Sequence, residues 1–186
     1  ALFQELADQS NAKETNPTNA YPTARHVWLA FGKMGRLGAL AKEDDSKLSA
    51  DERAALDAAR TKAMEDLPLL IKAAKHFDTT QLAGTEPPTE EQLDLWACML
   101  YGALNLDEQQ FGQVYNLMQQ NVAAAKQKGL SETSPSPDKT VALKQMIEQF
   151  KGEMKPLLTP EQARIFEGVL TQVQVEPGKM GFNFSF

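Results

Sequence analysis

The sequence predicts an all-α fold, a helical bundle of about seven helices with a short strand-like C-terminal tail. Three observations predict it. Apolar residues return every three or four positions in one segment after another, the period of helices that turn one face to a core. Several of these segments open on capping signals and close on clusters of Pro, Gly and Ser. The strictly alternating run comes last, with Met180, Phe182, Phe184 and Phe186 separated by Gly181, Asn183 and Ser185.

Composition bounds what such a bundle can do. At 186 residues the chain suits one medium domain or two small ones, with a substantial core. Nineteen Lys and Arg against 25 Asp and Glu leave a net charge of −6. Without a basic block, that balance argues against a nucleic-acid partner. No apolar run in this segment approaches the roughly 18 residues of a membrane span. A single Cys excludes a disulfide framework, and the absence of a glycine triplet period excludes a collagen-like chain. The unusual residue is Gln, with 15 copies against 2 His and 1 Cys. The chain is rich in helix-surface amides and poor in side chains that do chemistry.

Residues 1–24 are expected to be a flexible polar N-terminal arm or tether, because Ala7 to Ala24 is polar and turn-rich. The numbering opens on Ala1, so a tether behind a removed signal peptide or membrane anchor is one expectation, and a trimmed cytoplasmic protein is the other. Residues 25–173 form the helical domain, read in two parts, 25–103 and 104–173. The parts make either one bundle or two loosely joined ones. Val27, Trp28, Phe31, Met34, Leu37 and Leu40 make the first apolar stripe. Gly32, Gly35 and Gly38 run alongside it. No strand precedes them, so they lack phosphate-loop or dinucleotide spacing and imply no cofactor. They are read as a close helix–helix contact, which leaves Lys33 and Arg36 in solvent.

Ser49-Ala50-Asp51-Glu52 has the form of a capping box, in which the Ser hydroxyl accepts from an amide that Glu52 carries and Glu52 reaches back. It opens a helix through Leu56, Ala59 and Met64. Pro68 suits the first turn of the next, which carries Leu70, Ile71 and Phe77. Gly84 to Pro88 breaks the chain, and Thr89-Glu90-Glu91-Gln92 reopens it ahead of Leu93, Trp96, Met99 and Leu100. Two long amphipathic segments follow. The first carries Phe111, Val114, Tyr115, Met118 and Val122; the second, from about Asp138 to Lys155, carries Leu143, Met146, Ile147, Phe150 and Met154. With a Ser- and Pro-rich break between them they should form an antiparallel helical hairpin. Pro156 stops the second, and Thr159 starts a shorter helix with Ile165, Phe166, Val169 and Leu170. The tail, 174–186, either docks its aromatics on the bundle or serves as an arm for a partner or second subunit, because a lone strand is unstable.

Chemistry is sparse. His26 and His76 are the only imidazoles, and His76-Phe77-Asp78 falls short of the three or four ligands of a zinc site. No metal site is predicted. Asp44-Asp45 and Glu90-Glu91 suit loops and first helical turns, where they complement the helix dipole. Cys98 lies in an apolar run and reads as a small buried hydrophobe. No nucleophile–base arrangement can be assembled, so no catalytic residue is named.

The most specific local signal is repeated. In Leu158-Thr159-Pro160-Glu161-Gln162, Thr159 suits the N-cap, Pro160 the first helical position, and Gln162 closes a capping box. Leu106-Asp107-Glu108-Gln109-Gln110 has the same form, with Asp107 as cap and Gln110 as closer. Over residues 104–173, this order of motif, long helix, reversal, long helix and motif resembles the LTxxQ (Spy/CpxP-like) proteins of bacterial envelopes. The resemblance implies an all-helical periplasmic protein, often dimeric, that acts as a chaperone or as a sensor of envelope stress or metal. The chain departs from that pattern in Asp107 for Thr, in a short connection and in the residues before 104. Its lysines are scattered where the family has a basic concave face, and no His or Cys lies between 104 and 173.

The expected function is therefore non-enzymatic. It is a periplasmic or surface helical protein, chaperone-like or stress-related, that binds other polypeptides, a second copy of itself as a homodimer among them. Phe111, Tyr115, Phe150 and Phe166 are the candidate polypeptide-binding residues, with core packing as their alternative role. A dedicated scaffold or regulatory module is the second reading, and an enzyme using carboxylates in a cleft is the third.

Overall fold

The computed structural model describes residues 1–11, 23–74, 90–128, 137–171, 173–176 and 179–182. The protein is an all-α bundle. Its helices are α1 (Leu2–Asn11), α2 (Ala24–Lys42), α3 (Ala50–Glu65), α4 (Leu67–Ala74), α5 (Glu90–Leu104), α6 (Glu108–Gln127), α7 (Pro137–Met154) and α8 (Pro160–Leu170). A 3₁₀ turn at Lys155–Leu157 joins α7 to α8, at the place where Pro156 was expected to stop the helix.

Helices α2 and α5 form the centre. Along α2, His26 through Gly32, Gly35 and Leu37 through Leu40 are buried, and α5 is buried from Ala97 to Leu104. Two glycines let the backbones touch. A Cβ on Gly32 would collide with the carbonyl oxygen of Met99, and one on Gly102 with that of Leu29. At Gly32 the stripe makes the close helix crossing its spacing suggested, with Gly102 as an unforeseen partner. Farther along α2, Ala39 meets α8 at Gly168, where an added Cβ would lie 2.8 Å from the Ala39 Cβ.

The flanking helices pack on this pair. From α3, Leu56 enters the core, and Arg60 donates from Nε to the Leu40 carbonyl at 2.8 Å and from a terminal nitrogen to that of Glu43 at 3.1 Å. That guanidinium satisfies carbonyls which the end of α2 leaves open. Leu70 of α4 packs with Ala30 and Met34. One apolar cluster contains Trp28 and Leu56 from the first part of the chain and Met118, Met154, Ile165 and Phe166 from the second. The long helices α6 and α7 run antiparallel, since Gln110 reaches Leu157 while Asn121 reaches Glu153.

Three expectations are corrected. The first ten or so residues are not part of a flexible arm: Leu2–Asn11 is helix α1, with Leu6 fully buried and Leu2 and Phe3 packed on the core. It raises the helix count among the described residues to eight, while residues 12–22 lie outside them. Lys33 and Arg36 are not in solvent. Lys33 is largely buried with its Nζ 3.8 Å from Asp66, and burial pushes its pKa down; Arg36 donates to the Ala103 carbonyl at 3.3 Å and pairs with Glu161 at 3.2 Å. Both follow from the central position of α2, which leaves almost no free face. The start of the alternating tail is strand, as its pattern suggested, but not a lone one: β1 (Val173–Glu176) pairs antiparallel with β2 (Lys179–Phe182), Val173 opposite Phe182. Phe184 and Phe186 lie outside the described residues.

Candidate functional site

The two repeated motifs fold as expected and then do more. Asp107 caps α6 by accepting the Gln110 amide at 2.8 Å, and the Gln110 Oε1 accepts the Asp107 amide at 3.2 Å. Thr159 caps α8 by accepting the Gln162 amide at 3.2 Å, and the Gln162 Oε1 accepts the Thr159 amide at 2.9 Å. The two closing glutamines then face each other. Gln110 Nε2 donates to Gln162 Oε1 at 2.8 Å, and Gln162 Nε2 donates to Gln110 Oε1 at 3.1 Å.

Each Nε2 has a second bond. Gln110 donates to the Leu157 carbonyl at 3.0 Å, and Gln162 to the Leu104 carbonyl at 3.1 Å. Every donor and acceptor of both amides is therefore used, each Oε1 twice and each Nε2 twice. The result is a nearly two-fold clasp that joins the starts of α6 and α8. It also ties each start to the backbone just before the other, so the ends of α5 and of the 3₁₀ turn are held as well. Leu106 is buried and Leu158 half-buried beside it. Between α5 and α6 the chain turns at Asn105, whose φ of 50° is left-handed, a conformation Asn tolerates better than most residues.

The candidate binding residues divide. Phe111 and Phe166 are core residues, at 7% and 1% exposure, which corrects any reading of them as a free surface. Phe111 is covered by Phe3 of α1 at a ring distance of 5.8 Å, and Phe166 lies on the buried face of α8 with Ile165 and Val169. Phe150 is half-buried with its ring 6.2 Å from that of Phe166, edge to face. Tyr115 is also half-buried. Its hydroxyl donates to Asp94 at 2.6 Å, and burial, then that bond, pushes its pKa up to about 12.

Asp94 opens a polar chain that the sequence did not reveal. Its other oxygen accepts from Arg25 at 2.9 Å, and a second Arg25 nitrogen donates to Glu5 at 2.9 Å. The chain thus links α6, α5, α2 and α1. Next to it His26 is buried, 3.4 Å from Glu5, with neither ring nitrogen in a hydrogen bond. Its pKa is lowered, chiefly by burial and further by Arg25, against the pull of Glu5. These residues lie up to 110 positions apart (Glu5 to Tyr115), and no local pattern joins them.

The remaining candidates carry little chemistry. Cys98 is fully buried, and burial pushes its thiol up to about 12, far from a reactive thiolate at neutral pH. Ser49 and Glu52 form their capping box on α3. Thr89 and His76 lie outside the described residues. Among the described residues no group of three His, Cys, Asp or Glu is placed to hold a metal, and no helix is long and apolar enough to cross a membrane. No family model, no curated protein and no solved structure matches this chain.

Proposed function

We propose that this is a non-catalytic envelope protein of the LTxxQ kind, which binds other polypeptides through helical apolar surface. One observation carries the reading. The two Leu-x-x-x-Gln units on which the resemblance rests are a single structural unit, their amides bonded to each other across the bundle. A pair of capping boxes arising independently would have no reason to meet. Support for polypeptide binding comes from apolar side chains left outside the core: Met64 on α3, Ile71 on α4 and Val141 on α7 are each about half exposed. Tyr115 and Phe150 extend this supply at the edge of the hairpin. The periplasm is the compartment this reading assigns, and a second copy of the chain is among the partners it allows.

The test is suppression of aggregation. A chemically unfolded client is diluted into buffer with and without the purified protein, and light scattering is followed. The reading expects a dose-dependent delay and a client complex on gel filtration. No delay at a molar excess, with no complex, would sink it.

A further inference from the structure

Helix α1 sits on the bundle as a ligand sits on a receptor. Its apolar anchors are Leu2, Phe3 and Leu6, which pack on the core, and Glu5 pairs with Arg25 at 2.9 Å. Their seat is specific. Phe3 meets Tyr101 edge-on at 5.6 Å and Phe111 at 5.8 Å, Leu6 is fully buried, and the guanidinium is fixed from behind by Asp94. At ten residues α1 is too short to be stable as a helix by itself, so its structure depends on the seat. The seat in turn is imperfectly served by α1, because His26 beneath Glu5 is buried with both ring nitrogens unbonded. That imidazole has an ion-pair approach to Glu5 at 3.4 Å but no hydrogen bond, and a buried polar group without a hydrogen bond costs free energy.

We propose that the seat of α1 is a recognition site for amphipathic helical segments of other polypeptides. Such a segment would carry an aromatic residue, a carboxylate two positions on and a leucine next to it, and α1 fills the site in cis as a displaceable stand-in. The proposal rests on the polypeptide-binding reading and adds the class of segment that is bound. The aromatic pair Tyr101 and Phe111 takes the incoming ring, Arg25 takes the carboxylate, and the pocket of Leu6 takes the leucine. As part of the same chain, α1 competes with any free segment intramolecularly. A free segment therefore competes well only when it binds more tightly or when α1 is weakened.

The test uses the full chain and a fluorescent peptide of residues 1–11, read by anisotropy. Replacing Phe3→Ala and Leu6→Ala together in the full chain weakens the cis competitor and leaves every residue of the seat in place. The expected result is peptide binding about 10-fold or more tighter than to the wild-type chain, because the vacant fraction of the seat rises. The same peptide with Glu5→Lys should lose this binding. Equal or absent binding to wild type and to a variant that keeps its helical circular dichroism overturns the proposal. If the variant loses its helix content, hydrogen exchange of the wild type decides. Amides of α1 opening before those of α2 and α5 uphold a displaceable α1; opening only with the whole molecule refutes it. Delayed client aggregation without peptide binding would refute this site and leave the polypeptide-binding reading standing.

Discussion

Two regions of this bundle hold polar groups between helices, and they are built in opposite ways. At the clasp, Gln110 and Gln162 satisfy every atom of both amides, with four bonds to backbone and two to each other. At the α1 seat, a partly exposed chain of Glu5, Arg25, Asp94 and Tyr115 lies beside an imidazole with no hydrogen bond. A saturated network has one good arrangement and penalises every other, so it fixes the relative positions of α5, α6 and α8. An unsaturated one is penalised when it is formed, which lowers the cost of opening it. The bundle thus combines a locked contact with a releasable one.

The largest effect should come from the crossing that both regions depend on. In Gly32→Ala the new methyl meets the Met99 carbonyl, which is helix backbone and cannot rotate away. Helices α2 and α5 must separate, carrying Arg25 from Asp94 and Leu104 from Gln162. We expect a loss of about 3 kcal/mol or more in urea unfolding. A loss under about 1 kcal/mol would show that the crossing is softer than a backbone contact allows.

Breaking the clasp alone should cost less. Gln110→Ala removes four bonds and leaves the Leu157 carbonyl and the Asp107 amide without that partner, at a site that is half-buried. An expected cost of about 2–3 kcal/mol follows. The decisive quantity is the coupling with Gln162→Ala. Two independent caps would give additive losses, whereas a clasp should give a double variant less damaged than the sum by about 1 kcal/mol or more. Additivity within about 0.5 kcal/mol would reduce the pair to ordinary capping boxes.

Much of the locked contact was legible in the sequence, and little of the releasable one was. Each capping box is written in a few adjacent residues, so Asp107, Gln110, Thr159 and Gln162 could be assigned their local bonds from the chain alone. That the two glutamines meet is a tertiary fact, 52 positions apart, which no local spacing encodes. Helix α1 was hidden differently. Its apolar set is Leu2, Phe3 and Leu6, less than two turns long, and the polar residues after it pull the whole segment toward the composition of an arm. Lys33 and Arg36 misled because a stripe argument presumes that one helix face sees water. In a central helix, charged side chains must instead find partners, as these do in Asp66 and Glu161.

The smallest effect, and the one that separates the two regions most cleanly, is with pH. Among the described residues the charged groups acting on His26 are Glu5 from α1, which favours the imidazolium, and Arg25 beside it, which opposes it. Asp94 of α5 and Tyr115 of α6 approach only through Arg25. Burial is the largest influence, so the docked imidazole has a pKa below its ordinary 6.5. The docked state then binds fewer protons than the released one. Its stability is complete above 6.5 and falls as the pH drops below that value toward the docked pKa. At pH 5.5 the loss is bounded at about 1.4 kcal/mol, the whole cost of neutralising an imidazole one unit below its ordinary value. Protection factors of α1 amides, which correct for the intrinsic pH dependence of exchange, should fall between pH 7.5 and 5.5, while those of α6 beside the clasp hold. His26→Phe should abolish the difference, since it fills the same space with nothing to protonate. An equal fall in α1 and α6, or one that survives His26→Phe, would mean that acid acts on the bundle as a whole and that the seat has no separate equilibrium.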